Sequence, residues 1–344
     1  MANDRIFKWD NAKAILIFLV VFAHLAEPFT AQGFASVYKS IFLIIYTFHM
    51  PAFIFIAGLF SKHTVNQERF AWQKLLPFPI MAFILKIFYI AKDVWQKKTL
   101  SVINLSVFSN IVWFLFALFV FYALMYLLKH VSAKTVFIAA VLIACVCGYD
   151  KHINDVLALS RIIVYFPFFA AGYYLPEKKV RAALAGKKVK IIAAAVWLLF
   201  GAACLLFVDK LYAFRPLLTG RNPFEKLGEY YYFGGALRLA YYGVCALLLA
   251  SFFALVPNIK IRFAAYIGQH TLSIYFWHLP LVELLFDSGI AYRVQEHVRT
   301  VFFLPILMLA AVLLCSVLAL PVFNYPLAGI KKFFGKYGSK QSDN

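Results

Sequence analysis

The stretch Asp10-Asn11-Ala12-Lys13-Ala14-Ile15-Leu16-Ile17-Phe18-Leu19-Val20-Val21-Phe22-Ala23-His24 decides the fold. It sets an apolar run between one cation and one imidazole, with no turn residue to interrupt a helix. At 3.6 residues per turn, the step from Lys13 to His24 is about three whole turns, so the two side chains share a face. A rise of roughly 1.5 Å per residue separates them by about 16 Å along the axis. In a membrane-crossing helix this puts the cation near one surface and the imidazole near mid-bilayer, where ionisable groups rarely stand without a task. Asp10, three residues before Lys13 and on the same face, is placed to orient the ammonium through an ion pair.

Outward from this stretch the chain keeps the same character. Of its 344 residues, 64% are hydrophobic and 14% are charged, with a mean hydropathy of +0.80. That balance excludes a soluble globular domain. Apolar stretches centred on residues 13–27, 38–60, 75–91, 111–128, 135–148, 161–175, 191–208, 236–256, 266–286 and 300–324 predict an all-α polytopic membrane bundle of about ten transmembrane helices. The first stretch lacks a small-residue cleavage site, so it reads as a span rather than a cleaved signal. One transmembrane domain is expected over residues 1–334, followed by a short polar cytoplasmic tail, 335–344.

The formal charge is +19. With the N-terminus inside, most Lys and Arg fall on the inner side, including the cluster Lys178, Lys179, Arg181, Lys187, Lys188 and Lys190 and the cluster Lys331, Lys332, Lys336 and Lys340. This positive-inside bias predicts a multi-pass protein of the cell (plasma or inner) membrane with both termini cytoplasmic, and it removes the need for a nucleic-acid partner. Cys145, Cys147, Cys204, Cys245 and Cys315 lie within or at the ends of apolar stretches, so they read as packing residues rather than a disulfide framework or a metal site.

Two more histidines fall in apolar stretches, in Phe48-His49-Met50-Pro51 and Trp277-His278-Leu279-Pro280. Proline kinks a span and frees a carbonyl, and three imidazoles at comparable depth point to one cavity. The plainer alternative is that each is a neutral imidazole bonded within the bundle. Imidazole suits proton transfer near neutral pH, whereas Lys13, near the cytoplasmic mouth, suits attraction of an anionic substrate. Glu27 is placed to orient His24, provided that Pro28 does not already end the helix. Arg161 and Arg238 open later apolar stretches, and Arg238 reads as an interfacial anchor snorkelling to headgroups. The longest polar interruption, 209–235, carries Arg215, Arg221, Glu225, Glu229 and the run Tyr230-Tyr231-Tyr232-Phe233. Rings among charges suit a sugar, though an interfacial aromatic belt is the stronger reading of the run.

Taken together, these residues resemble the integral membrane acyltransferase family 3, and within it the fucose 4-O-acetylase-like acetyltransferases. Lys13 through His24 is similar to that family's motif of a basic residue, a ten-residue gap and a histidine. Phe48 through Gly58 is similar to a stretch ending in Ser-Gly, with Ala57 here in place of the serine. Val112-Trp113-Phe114-Leu115, Ser160-Arg161 with Phe166 to Tyr174, and Thr271 to His278 follow in the same order.

The resemblance implies a membrane O-acetyltransferase with His24 as catalytic base and Lys13 as its basic partner, oriented by Asp10. It implies acetyl-CoA as the acyl donor, a carbohydrate or lipid-linked glycan as acceptor and membrane lipid as surroundings. Lys62, Arg69 and Lys74 are candidates to meet the CoA phosphates, and Trp113, Arg161 and His278 to stabilise the oxyanion, with His49 in the substrate-binding set. The rival reading is a proton-coupled transporter or exporter of a sugar or lipid-linked glycan, against which no matched halves are visible beyond the two short His-hydrophobe-Pro segments.

Overall fold

A computed structural model describes residues 6–31, 35–97, 108, 110–298 and 300–340. Among these residues the chain is helical, with no strand. Five helical segments are long and apolar enough to cross a membrane: Phe7–Ala31, Ser36–Leu59, Trp72–Gln96, Lys187–Leu206 and Phe224–Leu255. Shorter apolar helices cover Val112–Leu128, Ala133–Tyr149 and Phe302–Leu318. These helices fit a membrane protein. They divide between two compact units, one formed by Met1–Phe53, Lys178–Leu218 and Gly243–Asn324, the other by Ile54–Glu177, Thr219–Tyr242 and Tyr325–Asn344.

The first unit is built around the helix Phe7–Ala26, 14 of whose 20 residues are buried. It packs against Ala35–Tyr46, Arg262–Gln269, Thr271–Asp287 and Thr300–Leu318. With most of its residues buried among four other helices, it is a core element rather than a surface one. It begins at Phe7, well before the apolar run, so Asp10 falls in its first turn, where a carboxylate complements the helix dipole. It gives way at Glu27–Ala31 to a 3-10 turn whose second residue, Pro28, has no N–H to continue the α-helical ladder.

The apolar stretch 38–60 is two helices rather than one. Ala35–Tyr46 ends in a turn at Thr47 and Phe48, and His49–Leu59 starts afresh with Pro51 in its first turn. A proline there loses no helical hydrogen bond, because the first-turn N–H groups have no partner within the helix.

In the second unit Pro77–Lys97 lies on Val112–Leu128, and Leu159–Tyr174 packs against both Val112–Leu128 and Ala133–Val146. Leu159–Tyr174 also meets the segment after Phe53 in backbone contact. A Cβ on Gly58 would collide with the Phe169 carbonyl, and one on Gly172 with the Phe55 carbonyl. Two motifs that the sequence offered separately therefore touch, and their glycines are what lets them. Small residues of this kind let membrane helices approach closely enough for dispersion to hold them together.

Replacing Gly58 or Gly172 by Val should cost at least about 3 kcal/mol, since the obstacle on each side is backbone that cannot rotate away. Gly243, where an added Cβ meets nothing within 4 Å, is the control. Gly243→Ala in the Gly234–Leu255 helix should be neutral or stabilising by up to about 1 kcal/mol. Thermal unfolding of the detergent-solubilised variants checks both.

Candidate active site

The N-terminal end of the Phe7–Ala26 helix carries an ion pair, Lys13 Nζ to Asp10 Oδ1 at 3.0 Å, with the lysine side chain 28% and the aspartate 12% exposed. The segment 256–259 clamps this turn. Asn11 Nδ2 donates to the carbonyls of Pro257 and Ile259, both at 3.0 Å, and Lys8 Nζ donates to the Val256 carbonyl at 3.0 Å. The Lys8 N–H donates to Asn258 Oδ1 at 3.1 Å. Gly268 brings the Arg262–Gln269 helix against the Asp10 carbonyl so closely that a Cβ would collide with it. The pair thus sits on a turn fixed from two sides.

Three turns further on, the rings of His24 and His278 lie 5.1 Å apart at 60°. His49, the third of these imidazoles, meets the Tyr46 ring edge-on at 5.1 Å. In each, Nδ1 meets a backbone carbonyl of the preceding turn: Val20 at 2.8 Å, Ile45 at 2.7 Å, and for His278 both Tyr275 at 2.8 Å and Ile274 at 3.1 Å. A carbonyl only accepts, so the neutral rings hold their proton on Nδ1 and leave Nε2 with its lone pair. His278 Nε2 is buried without a hydrogen-bond partner. Accessibility separates them, for His278 is 0% and His49 3% exposed, whereas His24 is only half-buried.

Two expectations need correction. Glu27 does not orient His24: its carboxylate takes the Arg215 guanidinium at 2.8 Å and the Tyr46 hydroxyl at 2.7 Å, partners that the first unit brings to it from elsewhere in the chain. Arg238 is no snorkelling anchor. It is 1% exposed and its guanidinium lies over the rings of Phe224, at 5.6 Å, and Tyr241, at 5.8 Å.

In the second unit Arg161, 5% exposed, lies over the Trp113 ring at 5.0 Å and faces Asp155 at 3.4 Å. Asp155 also pairs with Arg221 at 3.2 Å. Trp113 and Arg161 are therefore brought together, whereas Lys74 and Arg69 are exposed and Lys62 is half-buried, reaching the Leu175 carbonyl at 3.5 Å.

The family model described as "Acyltransferase domain" matches residues 6–320. The chain belongs to this acyltransferase family. Its match begins at the first helix and takes in every residue of the Asp10, Lys13 and histidine constellation. The chain is also 27% identical over 189 residues to "Nodulation protein NolL" of Mesorhizobium japonicum, covering 51% of this chain and 49% of the relative. It is 25% identical over 223 residues to "Nodulation protein NolL" of Sinorhizobium fredii, covering 60% and 58%. The chain thus spans about half the length of the curated relatives it matches. No solved structure matches it.

Sequence reasoning missed Asn11, Lys8 and Gly268, although an asparagine and a lysine beside Asp10 at the start of an apolar helix were a signal. Asn11→Ala should destabilise the protein by about 2 kcal/mol, because two carbonyls lose their donor together. Asn11→Asp, which offers acceptors where the carbonyls need a donor, should do no better. Melting temperatures in detergent check this.

Proposed function

We propose that this acyltransferase moves an acetyl group from cytoplasmic acetyl-CoA to a hydroxyl of a cell-surface or lipid-linked carbohydrate, with His24 as general base. The setting is a bundle of about ten crossings in the cell membrane, both termini cytoplasmic. The observation that carries the reading is the single helix Phe7–Ala26, which holds the Asp10–Lys13 pair in its first two turns and the half-buried His24 three turns on.

Lys13, held by Asp10, meets a phosphate of CoA at the cytoplasmic surface, where an ammonium forms a charge-assisted hydrogen bond. The pantetheine arm then runs along the helix toward His24 over the roughly 16 Å that three turns provide. His24 Nε2, left with its lone pair because Nδ1–H donates to the Val20 carbonyl, removes the proton of the acceptor hydroxyl as its oxygen attacks the thioester carbonyl carbon. The C–O bond forms, the C–S bond breaks, and the CoA thiolate leaves with the proton that the imidazolium returns. The products are the O-acetyl ester and CoA thiol.

Transfer of radiolabelled acetyl from acetyl-CoA, with purified protein in liposomes and glycans supplied on either side, tests this. His24→Ala should lower the rate by about 10²–10⁴-fold, the usual worth of a positioned base. Lys13→Ala should raise the KM for acetyl-CoA about tenfold or more, with Lys13→Arg restoring much of it. Label failing to reach any glycan, together with glycan export that stops in His24→Ala cells, would replace the enzyme by a carrier.

A further inference from the structure

The second unit contains a cleft of about 810 Å³ that the His24 chemistry does not use. Its lining includes Tyr149, Tyr231, Asp150, Lys151, His152 and Glu225, drawn from the 3-10 turn Cys147–Tyr149 with the residues just after it and from the 3-10 segment Phe224–Phe233. The volume falls within the roughly 300–1,000 Å³ of small-molecule sites.

The walls of the cleft are set in place by the residues behind them. Phe224 is 1% exposed, and its ring is wedged where a Cβ on either Gly148 or Gly234 would collide with it. That wedge ties the segment to two helices at once. The Tyr149 ring meets Phe224 edge-on at 4.9 Å. Its hydroxyl donates to the Tyr232 carbonyl at 2.9 Å and accepts from the Gly235 N–H at 3.1 Å, which fixes the ring plane. Tyr231 stands perpendicular to it, centroids 5.5 Å apart. Asp150 accepts the His152 N–H at 2.8 Å, folding the opposite lip. Gly228, at φ +59°, turns the segment on the cleft side and leaves open space where a Cβ would stand.

We propose that this cleft binds the carbohydrate acceptor chain of the acyltransferase. The proposal rests on the carbohydrate reading above. Two fixed rings at right angles offer apolar faces for sugar C–H surfaces, while the carboxylates of Asp150 and Glu225 accept hydroxyl protons and Lys151 and His152 donate to sugar oxygens. Two carboxylates in the lining disfavour a polyphosphate such as CoA, which separates this ligand from the acyl donor. The tyrosine run also divides in function. Tyr232 and Phe233 are 83% and 64% exposed, as belt residues are, whereas Tyr231 turns into the cleft.

The test exposes the full-length protein in detergent to an array of immobilised bacterial polysaccharides and oligosaccharides. Wild type should retain a defined set. Tyr231→Ala and the conservative Glu225→Gln should each lower retention at least tenfold, whereas the outward Phe233→Ala should leave it unchanged. Retention of no glycan, or retention indifferent to both cleft variants, overturns the proposal. Acetyl transfer to the same glycans separates the two readings. Binding that follows Tyr231 and Glu225 with no label transferred upholds the cleft and removes the acetylation. Label transferred with an unchanged acceptor KM in both cleft variants does the reverse.

Discussion

Burial of most of the Phe7–Ala26 helix is the constraint from which the rest of the first unit follows. A polar group buried in such a helix needs a partner from the protein, and this helix carries Lys8, Asp10, Asn11, Lys13 and His24. Each therefore has its partner built by another part of the chain or by the helix itself. The segment 256–259 supplies four contacts to Lys8 and Asn11, far away in sequence, and the Asp10–Lys13 pair is settled within one turn. The residues that tie this helix to distant chain thus lie beside the stripe that proposes the chemistry.

Close approach of backbones is the second recurrent device. Lipid tails are as apolar as leucine, so helices in a bilayer gain little from hydrophobic contact and depend on packing instead. The glycines act at the points where this matters. Gly58 and Gly172 let two motif-bearing helices touch in the second unit, and Gly268 lets Arg262–Gln269 press on the carbonyl of Asp10 in the first. The last contact links packing to chemistry directly, because the residue pressed upon is the one that orients Lys13.

Much of this was legible in the sequence, and the limits have physical reasons. The helical stripe was readable because 3.6-residue periodicity fixes which side chains share a face, and the His24–His278 contact joins two of the three histidines that the sequence set in apolar stretches. The break at Thr47–Phe48 was signalled by Pro51, but not that two helices would result. Asn11 escaped because its value depends on carbonyls about 250 residues away, which no local pattern reveals. Glu27 and Arg238 were misjudged for a related reason. Glu27 had nearer partners in Arg215 and Tyr46 than in His24, and Arg238 lies over the rings of Phe224 and Tyr241 rather than at a headgroup.

What singles out His24 among the histidines is not its tautomer. His270 and His297 also turn Nδ1 to the carbonyl four residues back, Tyr266 at 2.8 Å and Arg293 at 2.7 Å, just as His24, His49 and His278 do. That bond is a product of helix geometry, and it presents Nε2 outward wherever a histidine sits in a helix and takes it. Electrostatic company does not decide either, since His24 and His278 share theirs. The deciding combination is access together with the stripe: His24 is half-buried where His49 and His278 are closed off, and it alone of the three shares its helix with Asp10 and Lys13. A base needs both a lone pair and a path for the proton it takes. Helix geometry supplies the first to all three, and the fuller burial of His49 and His278 is what makes His24 the proposed base.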